Sequence, residues 1–173
     1  SIPVSIWVDD EQRAAKRIWE ARLGSRFRSA ASGLEEYSGV RFEVVRFGRW
    51  QSKNGVSQFS GSLYEFIDQV DPGRTLAIGF TSQYEKPNDD GVLRIAGTRK
   101  PLSRHILVRE WRSVSEKERV ELLVHELGHF LGASHSVDVG SAMRAKLGDP
   151  ITRQFADRKI RFDSANTLLM ALI

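Results

Sequence analysis

The stretch His125-Glu126-Leu127-Gly128-His129-Phe130-Leu131-Gly132-Ala133-Ser134-His135 constrains this chain more than any other. Histidines four apart on a helix stand about 40° apart around its axis, at ~100° per residue, so the imidazoles of His125 and His129 can reach one metal ion. Glu126 lies on the same side. The spacing therefore requires a helix here, and Val120, Leu123, Val124, Leu127, Phe130 and Leu131 supply its inward apolar face, roughly opposite the histidines. Gly132 comes where a glycine can take the left-handed conformation that ends a helix and turns the chain. His135 then closes on the same point from outside the helix.

Three neutral imidazoles leave a fourth coordination position on zinc for water, which marks a catalytic rather than a structural site. Zinc in such a setting lowers the pKa of water to about 7 and polarises a carbonyl oxygen. Glu126, between the ligands in sequence but not itself a ligand, is placed to take a proton from the water and pass it to a leaving amine. The chemistry implied is amide hydrolysis without a covalent intermediate. The competing reading is a set of ordinary helix histidines beside a chance glutamate. Histidine is rare, and five identities are fixed in this short run, so coincidence is a poor explanation.

Composition sets the bounds around that site. At 173 residues the chain fits one domain, 1–173, with a sizeable core. A hydrophobic content of 40% and a charged content of 28% are those of a globular protein. No apolar run approaches the roughly 18 residues of a membrane span. The start, Ser1-Ile2-Pro3-Val4, lacks a signal-peptide pattern. Cysteine is absent, which excludes disulfides. The net charge of +4 comes from basic residues spread along the chain, which reads as a solvated surface. No basic patch is interleaved with aromatics, so neither nucleic acid nor a membrane is the expected partner.

Along the chain, Val4, Ile6 and Val8 alternate with Ser5 and Trp7, the period of a strand with one buried face. Asp10 can cap a helix from about Glu11 to Tyr37, with Ala14, Ile18 and Ala21 at helical spacing and Ser38-Gly39 closing it. Its basic residues, Arg13, Lys16, Arg17, Arg22, Arg26 and Arg28, read as a solvated face. Val40 to Phe47 is a second strand whose apolar parity changes between Val44 and Val45, which predicts a bulge or burial on both faces. Gly48 to Ser60 reads mostly as a polar loop, and Gly61 to Val70 as a short helix. Thr75 to Thr81 is apolar on both faces and should be a central strand.

Tyr84 to Gly91 is loop-like; Pro87-Asn88-Asp89-Asp90-Gly91 could offer oxygens to calcium but lacks the spaced acidic pattern of a calcium loop, so a turn is expected. Val92 to Thr98 reads as an edge strand and Leu102 to Arg109 as a further strand carrying His105, a buried hydrogen-bonded or surface histidine. Ser115-Glu116-Lys117-Glu118 is a capping box that starts the histidine helix, which should run to about Leu131. Asp138 either orients a ligand or is a turn residue. Gly148-Asp149-Pro150 breaks the chain, and Asp163 or Ser164 caps a last helix with Leu168, Leu169, Leu172 and Ile173. Strands alternating with helices argue for a largely parallel sheet.

The pattern His-Glu-x-x-His-x-x-Gly-x-x-His with a downstream methionine resembles the metzincin zinc endopeptidases. Ser136 and Met143 make it most similar to the matrixin branch. The resemblance implies a mixed α/β catalytic domain. That domain would hold a twisted five-stranded, mostly parallel sheet with an antiparallel edge strand, an active-site helix and a C-terminal helix. An upper part would run to about residue 135 and a lower part over about 136–173. It assigns one catalytic zinc to His125, His129 and His135, the general base to Glu126, and to Met143 a supporting turn beneath the metal. It also implies a secreted, monomeric protein. The polypeptide substrate would lie extended along the edge strand near Val92 to Thr98, pairing with free backbone groups.

The sequence departs from the matrixin pattern in places. Arg144, Ala145 and Lys146 stand where aromatic or proline residues usually shape the specificity pocket. Tyr37, Tyr64 and Tyr84 lie far upstream of the methionine, so no tyrosine partner is expected at the metal. With His105 the one histidine outside the motif, no structural zinc is expected. The expected activity is zinc-dependent endopeptidase. The alternatives are an inert zinc-containing domain that captures extended peptides, and an anionic-partner module in which the metal only stabilises the fold.

Overall fold

The computed structural model describes residues 1–53, 58–82, 96–98, 103–110, 114–145 and 160–172. Strand β1 (Ile2–Asp9) leads to helix α1 (Lys16–Ser38), then β2 (Phe42–Trp50), α2 (Phe59–Gln69), β3 (Leu76–Thr81), β4 (Ala96–Thr98), β5 (His105–Arg109), α3 (Glu116–Phe130) and α4 (Ser164–Ala171). The strands form one sheet in the order β2-β1-β3-β5-β4. All neighbours are parallel except β4, which runs antiparallel to β5 at the edge. The fold is the expected mixed α/β arrangement, with α1 and α2 as the crossovers that link β1, β2 and β3.

Both faces of the sheet are covered. Val4, Ile6, Val8, Leu76, Ile78, Phe80, Ile106 and Val108 face a core completed by α1 and α3. Trp7, Ala77 and Leu107 face the other way, under Phe59, Leu63 and Phe66 of α2. The alternation in β1 suggested one buried face; instead Ser5 and Trp7 are buried too, because α2 packs on the face they share. The parity change in β2 is a bulge: Val4 pairs with Val44 and Ser5 with Arg46, leaving Val45 as the extra residue. The strand then continues through Gly48, Arg49 and Trp50, which the sequence placed in a loop. Trp50 is drawn in by packing against Phe66, with ring centroids 4.8 Å apart and planes inclined at 54°.

Helix α1 differs most from expectation. It begins at Lys16 without a side-chain cap, because the Asp10 carboxylate is engaged by the Ser52 backbone and hydroxyl. Its buried face is Trp19, Leu23, Phe27, Ala30, Ala31 and Leu34, whereas Ile18 is 53% exposed. Arg26 is not on a solvated face but buried, with Nε and Nη2 donating to Glu116 at 2.6 and 2.8 Å and Nη1 donating to Glu110. Arg22 and Arg119 also donate to Glu110, at 2.5 and 3.2 Å. Burial alone would raise the Glu110 carboxyl, but the three guanidinium groups hold it below the usual carboxylate range. This network fastens α1 to the first turn of α3.

His105 is buried with Nε2 2.8 Å from the Val70 carbonyl, the hydrogen-bonded alternative of the two foreseen. Asp163 caps α4 by accepting from Asn166 N at 3.0 Å. The face that docks is Asn166 and Met170; Leu168, Leu169 and Leu172 point outward, at 63, 41 and 75% exposure. The turn and calcium readings at Tyr84 to Gly91, most of the Val92 to Thr98 edge, Lys146, the Gly148-Asp149-Pro150 break and Ile173 lie outside the described residues.

Candidate active site

Helix α3 starts as the capping box requires, with Glu118 N donating to Ser115 Oγ at 3.3 Å and Ser115 N to Glu118 Oε2 at 2.8 Å. Leu123, Val124, Leu127 and Leu131 are fully buried, and this packing fixes the rotation of the helix. Its last turn is closed by Gly132 at φ 82, and Ala133 N returns to the Gly128 carbonyl at 2.9 Å. The chain then doubles back and brings His135 to the other two histidines. Ring centroids lie 4.6 Å apart for His125 and His129, 5.3 Å for His125 and His135, and 4.9 Å for His129 and His135.

One nitrogen from each ring falls within 4.8 Å of the others, and among the described residues this is the one such cluster of three or more metal-ligating side chains. The chemistry of the donors favours a metal. His125 Nδ1 lies 2.7 Å from the Ala142 carbonyl and His129 Nδ1 lies 2.9 Å from the Ala133 carbonyl. Carbonyl oxygens only accept, so both protons are assigned to Nδ1 and both Nε2 atoms carry lone pairs. Those two Nε2 atoms are 3.0 Å apart. Facing lone pairs at that distance repel unless a cation lies between or beside them. A proton is disfavoured: burial pushes His125 down to about 4, with His129, His135 and Arg144 adding to the effect against the Ala142 hydrogen bond. Burial also lowers His129. A neutral, pre-oriented imidazole set is what zinc requires.

Glu126 is 5% exposed beside the ligands, and His135 is exposed at the mouth of the site. Met143 is fully buried beneath α3, and its carbonyl accepts from Ser136 N at 2.7 Å. Asp138 resolves as a turn residue, accepting from Gly140 N at 2.8 Å and pairing with Arg161 at 3.0 Å. The imidazoles are instead oriented by the backbone carbonyls of Ala142 and Ala133. Tyr37 packs on Phe162 and donates to the Ile160 carbonyl at 3.3 Å, and Tyr64 is 51% exposed on α2.

Two contributors escaped the sequence reading. Asn166 of α4 accepts from Ser134 N at 2.8 Å and donates to the Ser134 carbonyl at 3.0 Å, pinning the residue before His135. Its one signal was the Asp163-x-x-Asn166 spacing of a cap. Glu121 forms a partly buried ion pair with Arg144 at 2.6 Å, and nothing local in the sequence pairs these residues.

No protein-family model matches the sequence, and no curated protein matches it. Solved structures do. An archaemetzincin from Methanopyrus kandleri is similar with a TM-score of 0.69 at 18% identity, covering 98% of this chain and 93% of that one. A zinc-dependent peptidase from Methanocorpusculum labreanum gives 0.59 at 12%, covering 96% and 99%. A second archaemetzincin, from Archaeoglobus fulgidus and complexed with malonate, gives 0.56 at 16%, covering 97% and 99%. At such identities the likeness is one of fold. The chain has the metzincin-like zinc-peptidase fold, and nothing in these likenesses singles out the matrixin branch.

Proposed function

We propose that this chain is a zinc-dependent endopeptidase. The observation that carries the reading is the convergence of His125, His129 and His135, with ligand nitrogens within 4.8 Å, around a helix that also presents the buried Glu126. The fold likeness to two archaemetzincins and a zinc-dependent peptidase supports it at the level of a metzincin-like zinc peptidase. The matrixin-like features are Ser136 and Met143 alone, and we do not carry the assignment to that branch.

His125, His129 and His135 would hold the ion, with the rings of the first two fixed by the Ala142 and Ala133 carbonyls. Zinc, when bound, activates water and polarises the scissile carbonyl. Glu126 accepts the proton of the attacking water and delivers it to the departing amine, so one carboxylate serves as base and then acid. Met143 closes the floor under the imidazoles and keeps their spacing. We further propose that an extended substrate pairs with the outer edge of β4, the edge strand of the described sheet that packs beside α3.

The test is metal dependence of both binding and turnover. One zinc per chain by elemental analysis is expected, together with loss of peptide cleavage on chelation and its recovery on adding zinc. His135→Ala should bind zinc at least tenfold more weakly, since one of three ligands is gone. Cleavage that survives complete zinc removal contradicts the proposal.

A further inference from the structure

On α3, Glu121, His125 and His129 recur at intervals of four and form one stripe, with Glu121 about 6 Å along the axis from His125 at 1.5 Å per residue. Arg144, the residue after Met143, is held against that stripe. Its Nη1 donates to Glu121 Oε1 at 2.6 Å and to the Ser141 carbonyl at 3.1 Å. The Arg144 side chain is 5% exposed and that of Glu121 12%. The pair therefore stands between the methionine turn and the histidine stripe, one helical turn before the first imidazole.

A guanidinium carries five N–H donors. Here Nη1 alone is engaged, and neither Nε nor Nη2 finds a partner among the described residues. Nε and Nη2 form an edge whose parallel N–H groups match the two oxygens of a carboxylate. The chain uses that edge in this way elsewhere: Arg26 Nε and Nη2 grip the two oxygens of Glu116 at 2.6 and 2.8 Å. In Arg144 the internal carboxylate sits on Nη1 instead, so Glu121 fixes the orientation of the guanidinium and leaves the bidentate edge to another acceptor. Burying unpaired donors is costly, and an acceptor on a ligand offsets that cost. Both unpaired nitrogens are buried, and the next residue, Ala145, is exposed.

We propose that Arg144, oriented by Glu121, is a specificity-determining residue that selects substrates bearing a carboxylate close to the bond that is cut. The proposal rests on the peptidase reading for the cut itself, whereas recognition of the carboxylate is a matter of binding. The carboxylate comes either from an acidic side chain or from the substrate's own C-terminus. A site with buried donors of this kind discriminates strongly against a ligand that lacks the acceptor.

The test is calorimetric titration of zinc-loaded Glu126→Ala protein with a neutral peptide in which a single Glu is scanned along the sequence. A matching Gln scan serves as control, and each peptide is made as C-terminal acid and amide. Glu at one position, or the acid over the amide, should bind at least roughly tenfold more tightly than its neutral isostere. The first result identifies an acidic side chain and the second a C-terminus. In Arg144→Gln the ratio should fall to near one. Arg144→Lys keeps the charge without the fork and should lose most of the preference, which keeps the test open if the Gln variant fails to fold. Equal binding of every charged and neutral pair, or a preference unchanged in both Arg144 variants, overturns the proposal. Carboxylate preference in binding with no cleavage by the zinc-loaded wild type sinks the peptidase reading and leaves the Arg144 assignment standing. Cleavage indifferent to carboxylates does the reverse.

Discussion

The sulfur of Met143 lies against the backbone of Gly128, so close that a Cβ built on Gly128 would come within 2.6 Å of Sδ. Gly128 sits in the helix between Glu126 and His129, and Met143 is fully buried. Gly128→Ala gains a little helix propensity but forces the packed Met143 side chain to shift away from α3. A net loss of about 1–2 kcal/mol is expected, read as a lower urea midpoint. Zinc affinity should fall with it, because Ala142, the residue before Met143, holds the His125 ring.

The acid behaviour of the metal-free protein follows from His125. Its folded pKa is pushed down to about 4 by burial, against an unfolded value near 6.5. The unfolded state therefore binds more protons between those values, and stability must fall as pH drops through that window. The loss totals roughly 3 kcal/mol at about 1.4 kcal/mol per unit. Denaturant melts at pH 7 and pH 4.5 measure it together with the contribution of His129, whose pKa burial also lowers. His125→Gln should flatten the difference, and an unchanged slope in that variant would assign the effect elsewhere.

Asp163 works at still lower pH. Burial opposes its ionisation, but hydrogen bonds from Asn166 and Ser141 hold it well below the usual carboxylate range. Its stabilisation is present above about pH 4 and is lost as pH falls through the depressed folded value. Asp163→Ala removes both the cap of α4 and a tie to the methionine turn, through Ser141 Oγ at 2.9 Å. The expected cost is about 1–2 kcal/mol at neutral pH.

Arg26→Met tests the network that anchors α3. The arginine is 3% exposed, and its removal leaves Glu110 buried with fewer cations around it. Losing one partner from a buried ion pair costs about 3–5 kcal/mol, and Arg22 and Arg119 should hold this case near the lower end. Global unfolding by urea reads the cost. A change below about 0.5 kcal/mol would mean that the cluster behaves as an exposed one.

The parts legible in the sequence were those specified by local spacing. The capping box at Ser115, the turn at Gly132, the parity change at Val44 and Val45, and the apolar run of β3 each predict their own geometry. The three histidines converge because helix periodicity and one glycine turn are enough to bring them together. The parts that were not legible depend on distant partners. Arg26 reads as solvated until Glu110 and Glu116 arrive from far along the chain. The last helix shows Leu168, Leu169 and Leu172 as its apolar residues, yet Asn166 and Met170 take the docking side of α4. Ile18 reads as core until Trp19, Leu23 and Phe27 rotate α1 the other way. Glu121 and Arg144 meet only once the methionine turn has folded under α3.

Cleavage of a diverse peptide mixture, read by mass spectrometry, is the most direct measurement. Folded, zinc-loaded wild type is compared with folded, zinc-loaded Glu126→Ala. Internal cuts by the wild type, reduced at least a hundredfold in the variant, are expected from a carboxylate that moves the proton in the reaction. No cuts by the wild type, or equal cutting by the two proteins, would contradict the assignment of this site as a zinc endopeptidase centre with Glu126 as its base.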